Sequence, residues 1–187
     1  RFAANGVAVA LLGRRREPLQ ETAEGLDSAC PGYLVLPTDV RDPLAVDAAM
    51  FAVAEKWDGL HALINNAALL AHQDGQSVDP WTYFECVLRT NIKGPALMTE
   101  RAVPLMVPGG VVINVSSSAA KRPTPDAVAY GASKAALDHL TTTLAVRYAP
   151  QRIRVVGVAP GGLFNHDDKS PSTEEATVQL VVYLASR

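Results

Sequence analysis

Cysteine is scarce in this chain: only Cys30 and Cys86 occur in 187 residues, in unrelated contexts. That excludes a disulfide framework and a thiolate metal site as organising features. The four histidines, His61, His72, His139 and His166, are scattered without the spacing of metal ligands. No apolar run approaches the roughly 18 residues of a membrane span, and no signal peptide opens the chain. No sign of charge dominates either, with a net charge of −2 and a pI near 6.1, so neither nucleic acid nor an anionic membrane is expected as a partner. The one basic run, Arg14-Arg15-Arg16, is followed at once by Glu17 and reads as a solvated helix start. Gly-x-Gly-x-x-Gly occurs nowhere. What remains is a single domain of cytoplasmic type, 48% hydrophobic and able to build a real core.

The apolar residues fall in short, β-branched runs: Val7 to Leu12, Tyr33 to Leu36, Leu60 to Ile64, Val111 to Val115 and Ile153 to Val158. Near-continuous runs of that length predict strands buried on both faces. Helical patterns lie between and after them, over Glu17 to Ser28, Pro43 to Lys56, Pro80 to Met106, Ala129 to Tyr148 and Pro171 to Arg187. The last of these starts near a Ser172/Thr173 cap. Alternating strand and helix predicts an α/β fold, with one doubly wound parallel sheet and helices on both faces. Ligands of such sheets bind outside the carboxyl ends of the strands. Arg14, Asp39, Asn66, Ser117 and Pro160-Gly161 each follow a predicted strand.

Tyr130 and Lys134 stand one helical turn apart, and Ser117 lies thirteen residues before the tyrosine. A phenol normally titrates near pH 10, with a pKa of about 10. A neighbouring ammonium favours the phenolate, so the tyrosine becomes able to exchange a proton with a carbonyl or alcohol oxygen. Ser117 is placed to hydrogen-bond the same oxygen. The pair alone is equally compatible with a buried tyrosine beside a solvated lysine.

Further segments sharpen the reading. Leu63-Ile64-Asn65-Asn66-Ala67-Ala68, Thr90-Asn91-Ile92-Lys93-Gly94, Asn114-Val115-Ser116-Ser117, Tyr130-Gly131-Ala132-Ser133-Lys134 and Val158-Ala159-Pro160-Gly161 occur in this order. In them the chain resembles the short-chain dehydrogenase/reductase family over nearly its whole length, with a Rossmann-like fold. The resemblance implies Tyr130 as acid/base, Ser117 as carbonyl-orienting donor, and Lys134 as the group that lowers the tyrosine pKa and holds the nicotinamide ribose. It implies that Asn91 holds a water linking Lys134 to solvent, and that Ser116 and Ser118 are structural. Asp39 and the Val40 backbone would meet the adenine, although Asp39 reads equally well as a helix cap before Pro43. Asn66 and Ala67 would lie beside the adenosine ribose, with a turn asparagine as the alternative. Pro160, Gly161 and Leu163 would contact the cofactor. Gly13 stands where NAD-preferring relatives carry aspartate, and Arg14 follows, which favours NADP(H) over NAD(H). No metal is implied. A homodimer or homotetramer through the helices 80–106 and 129–148 is a further expectation of the resemblance.

Several departures accompany it. The family's Thr-Gly-x-x-x-Gly-x-Gly turn and first and last strands do not occur in these residues, and few residues stand between Pro160-Gly161 and the last helix. Ala68 replaces a family glycine, Val156 an asparagine and Asn165 a threonine. The reading is therefore one dinucleotide-binding and catalytic domain over 1–187, incomplete at both ends and in the substrate lid. The expected function is an NADP(H)-dependent oxidoreductase acting on a small carbonyl or alcohol. A non-catalytic scaffold lacking the nucleotide turn is the competing expectation, and an isomerase or dehydratase on the same scaffold is a third.

Overall fold

The computed structural model describes residues 1–70, 79–123, 125–161 and 172–186. Among the described residues, five strands and six α-helices follow in the order β1 (Val9–Gly13), α1 (Arg16–Glu24), β2 (Tyr33–Pro37), α2 (Pro43–Lys56), β3 (Leu60–Asn65), α3 (Pro80–Leu88), α4 (Gly94–Ala102), β4 (Met106–Val115), α5 (Val128–Tyr148), β5 (Arg154–Val158) and α6 (Ser172–Ala185). All strand pairs are parallel. Among the described residues, no helix is long and apolar enough to cross a membrane.

The helix starts follow local chemistry. Asp42 accepts from the Leu44 amide at 3.0 Å with Pro43 in the first turn of α2. Asp79 likewise accepts from the Trp81 and Thr82 amides at the start of α3. The cap before Pro43 is thus Asp42, which removes the capping role considered for Asp39.

Two expectations need correction. The helix expected over 80–106 is not continuous. It runs as α3, a π-helical turn at Arg89–Lys93, α4 and a short 3₁₀ turn at Val103–Leu105, and Met106 already belongs to β4. Met106 pairs with Leu60, and the register shifts before Ala62 meets Val111. Gly109, at φ 95°, permits this irregular stretch of β4. The second correction concerns the sheet. The strands form two parallel ladders, β1–β2 and β3–β4–β5, and not one hydrogen-bonded sheet. Among the described residues no strand hydrogen-bonds β1 to β3, and a ladder extends only where a partner backbone lies alongside.

The ladders nevertheless share a core. Val46, Ala49 and Met50 of α2 are buried, as are Leu63 of β3, Leu97 and Met98 of α4, Val112 of β4 and Leu144 of α5. Leu12 of β1 and Leu36 of β2 pack against the cluster these residues form. On the opposite face of β4, Val111 and Ile113 join Val158 of β5 and Val181 of α6. The alternation of Val111, Val112 and Ile113 between clusters shows that β4 is covered on both faces, as a doubly wound arrangement requires. Within each ladder the strands run the same way, so their carboxyl ends present the loops that carry the candidate residues.

Candidate active site

The centre of the site is built from β4, α5 and the π-helical turn. β4 ends at Val115, and Ser117 follows in extended backbone (φ −159°, ψ 155°), where it caps the short turn Ser118–Ala120. Its Oγ accepts from the Ala119 amide at 3.2 Å, which leaves the hydroxyl hydrogen free to donate. Tyr130 lies in the first turn of α5 and is half-buried. Gly131 brings the two segments together: a Cβ there would lie 3.2 Å from the Ala119 carbonyl oxygen.

Lys134 is 2% exposed. Its ammonium donates to the Val115 carbonyl at 2.7 Å and lies 5.5 Å from the Tyr130 ring centroid. Burial pulls the lysine pKa down to about 8, against an opposing pull from the Asp138 carboxylate. Its charge is therefore itself titratable just above neutrality.

Asn91 sits fully buried in the π-helical turn, a local geometry often found at functional positions. Its Oδ1 accepts from the Leu69 amide at 2.7 Å. Its Nδ2 donates to the Leu69 carbonyl at 3.0 Å and to Ser133 Oγ at 2.9 Å. Ser133 in turn donates to the Tyr130 carbonyl at 2.7 Å. Both amide hydrogens are in use. The side chain ties the segment after β3 to the first turn of α5.

Below this, a buried polar network crosses the β3–β4 ladder. Asn65 donates to Asn114 Oδ1 at 2.8 Å and to Thr99 Oγ1 at 3.3 Å, and Asn114 donates to Thr141 Oγ1 at 2.9 Å. Helices α4 and α5 are thereby fixed to the strands that end at the site. No buried side-chain nitrogen or oxygen among the described residues is left without a partner.

The family model described as short chain dehydrogenase matches residues 1–175. This chain belongs to the short-chain dehydrogenase family. It is 35% identical over 165 residues to a sulfoacetaldehyde reductase of Chromohalobacter salexigens, covering 86% of this chain and 64% of that protein. It is 31% identical over 197 residues to an NADP-dependent 3-hydroxy acid dehydrogenase of Shigella flexneri, covering 96% of this chain and 76% of the relative. Among solved structures, a short-chain type dehydrogenase/reductase of Mycobacterium marinum superposes with a TM-score of 0.85 at 28% identity, covering 99% of this chain and 81% of the other. The chain spans just under two thirds of the length of the sulfoacetaldehyde reductase.

The other residues expected of a short-chain dehydrogenase lie around the strand ends. Arg14 is exposed after β1, and its charge reaches Asp39 after β2. Hydrogen bonding from the Arg41 guanidinium, aided by that charge, holds the Asp39 carboxyl below its ordinary pKa. Arg41 Nε donates to Asp39 Oδ1 at 2.9 Å and Nη2 donates to Oδ2 at 2.6 Å, so an adenine reaching this carboxylate must compete with the pair. Val40 is half-buried against α4, and Asn66 and Ala67 are exposed after β3. The Pro160 carbonyl accepts from the Ser118 amide at 3.0 Å, which brings the end of β5 beside the serine segment. Leu163 lies outside the described residues. A cleft of about 460 Å³ opens between the end of β5 and α6, lined among others by Pro160 and Thr177. Ser117, Tyr130 and Lys134 do not line it.

Ser133, the Leu69 backbone, the Val115 carbonyl and Arg41 were not anticipated from sequence. Ser133 lies inside the Tyr130–Lys134 motif, but nothing local says that it faces Asn91, which is 42 residues away. Ser116, expected to be structural, is buried and donates to the Lys134 carbonyl at 3.4 Å.

Proposed function

We propose that the chain carries the proton-transfer centre of an NADP(H)-dependent oxidoreductase that interconverts a carbonyl and an alcohol. The burial of Lys134 one turn from Tyr130, with its ammonium near the ring, carries this reading. In the reductive direction the Tyr130 hydroxyl donates its proton to the carbonyl oxygen; in the oxidative direction it takes the proton from the alcohol. Ser117 Oγ–H donates a hydrogen bond to the same oxygen. The Lys134 charge stabilises the phenolate that proton donation leaves behind. Asn91, through Ser133, holds the turn of α5 that carries Tyr130.

The residues present fit a nicotinamide dinucleotide at two places. Lys134 has three N–H donors and a single acceptor among the described residues, Val115, so two hydrogens remain for ribose hydroxyls. Arg14, exposed beyond Gly13, suits a 2′-phosphate where a carboxylate would select NAD. Asp39, Val40, Asn66 and Ala67 would border the adenosine, and Pro160, Gly161 and Leu163 the nicotinamide. The bound nucleotide supplies or takes up the hydride. One relative is named as NADP-dependent, which supports the same choice. A small carbonyl or alcohol substrate, a cytoplasmic location and self-association through α3, α4 and α5 belong to the same proposal.

The test is NADPH oxidation with a panel of small aldehydes and ketones. Wild type should turn over at least one of them, and Tyr130→Phe should lose at least about 100-fold in kcat while still binding NADPH. Undiminished turnover by Tyr130→Phe would sink the assignment. Absence of nucleotide binding by the wild-type protein would favour a scaffold role.

A further inference from the structure

Gly94 is buried at the start of α4, where a side chain has no room. A Cβ built there would lie 2.8 Å from Val40 Cγ2, 3.3 Å from Val40 Cβ and 3.6 Å from the Val40 carbonyl oxygen. A left-handed backbone does not explain the glycine, because its φ of −55° and ψ of −60° are helical. Alanine is ordinarily the better helix former. Valine is stiff at χ1, so rotating Cγ2 away leaves the Cβ contact in place and the whole residue must yield. Val40 cannot yield alone. The Arg41 amide donates to Asp39 Oδ1 at 2.9 Å and the Asp42 amide donates to the Asp39 carbonyl at 3.0 Å, closing the turn in which it sits.

Gly94 also stands three residues after Asn91, whose side chain is locked to Leu69 and Ser133. The start of α4 therefore cannot retreat without disturbing the π-helical turn. Of the two sides, the turn after β2 is the one free to move.

We propose that Gly94 is a positioning residue for the adenosine end of the nucleotide. By lacking a side chain it seats Val40, and with it Asp39, at the carboxyl end of β2. This rests on the NADP(H) reading given above. A Cβ at position 94 displaces the 39–41 turn and weakens the hold on adenosine, while the proton-transfer centre at Tyr130 keeps its geometry.

The experiment titrates wild type, Gly94→Ala, Val40→Ala and the double variant with NADPH, with 2′,5′-ADP as the adenosine-end fragment and with reduced nicotinamide mononucleotide. Gly94→Ala should weaken NADPH and 2′,5′-ADP by about tenfold, leave the mononucleotide within about twofold, and leave kcat at saturating NADPH within about twofold. The double variant should return to the affinity of Val40→Ala alone. Residue 94 precedes Pro95, and a Cβ before proline is disfavoured in helical backbone. If that clash were the cause, Val40→Ala would not rescue, and the inference would fail. It fails equally if all three ligands weaken together or if NADPH affinity is unchanged. Wild-type protein that binds no nucleotide would overturn the NADP(H) reading and this inference with it. Wild-type binding with an indifferent Gly94→Ala would overturn the inference alone.

Discussion

The ammonium of Lys134 donates to the main-chain carbonyl of Val115 at 2.7 Å, joining the helix of Tyr130 to the strand that ends two residues before Ser117. The bond satisfies one hydrogen of a cation that is otherwise 2% exposed. The remaining desolvation lowers the lysine pKa to about 8. The folded state thus binds this proton less tightly than the unfolded chain does. Between about pH 8 and the ordinary lysine value near 10.5 the unfolded state holds more protons, so stability should rise with pH across that window.

Urea unfolding measured at about pH 7.5 and about pH 9.5 checks this. Wild type should gain about 2 kcal/mol relative to Lys134→Met over that interval. Parallel profiles for the two proteins would mean that burial of the ammonium costs nothing. Activity should fall over the same range in which stability rises, because the lysine charge that favours the phenolate is being lost.

Asn91→Asp keeps the acceptor for the Leu69 amide but removes the hydrogens given to the Leu69 carbonyl and to Ser133. Loosening the first turn of α5 should lower kcat by roughly 10- to 100-fold with little change in nucleotide affinity. Equal losses in kcat and in affinity would point to general unfolding. A thermal melt of the same variant separates the two.

Thr141→Val tests the network beneath the site. Valine nearly matches threonine in shape but offers no acceptor, so a buried hydrogen of Asn114 loses its partner at 2.9 Å. The expected cost is about 1–3 kcal/mol in chemical denaturation. A change below about 0.5 kcal/mol would show that the network rearranges freely.

Gly13→Asp should shift nucleotide preference from NADPH toward NADH by about tenfold or more, because a carboxylate there repels a 2′-phosphate and binds ribose hydroxyls. Space allows it: the atoms nearest a Cβ at Gly13 belong to the Leu19 side chain, 3.3 Å away at its mobile end. Ratios of kcat/KM for the two nucleotides read the outcome. An unchanged ratio would place selectivity elsewhere than at the end of β1.

Trp81 and Val146 are 75% and 78% exposed on α3 and α5, two of the helices through which self-association is proposed. The proposed self-association predicts an oligomer for wild type and a monomer for Trp81→Asp combined with Val146→Asp in light scattering after size exclusion. An assembly unaffected by both charges would mean that association uses other faces.

Much of this protein is written in local pattern. Tyr130 and Lys134 share a helix face because the helical repeat places residues four apart one above the other. Val111 to Val115 reads as a strand because β-branched residues suit a sheet covered on both sides. Pro43 after Asp42 starts α2 at the same point in sequence and in structure. These features depend on near neighbours, which the sequence states directly.

What only the tertiary structure decided depends on distant neighbours. Met106 leaves the expected helix because Leu60 offers it a strand partner. The strands divide into two ladders because hydrogen bonding needs an adjacent backbone, and adjacency is not encoded in any one segment. Asn91 proved to be a clamp because its three partners, Leu69 N, Leu69 O and Ser133 Oγ, converge from residues 22 and 42 positions away. Which polar atoms meet in a buried space is settled by how helices and strands come to rest against one another. The sequence by itself determined the elements and the Tyr130–Lys134 pair; the packing of those elements decided which atoms hold that pair in place.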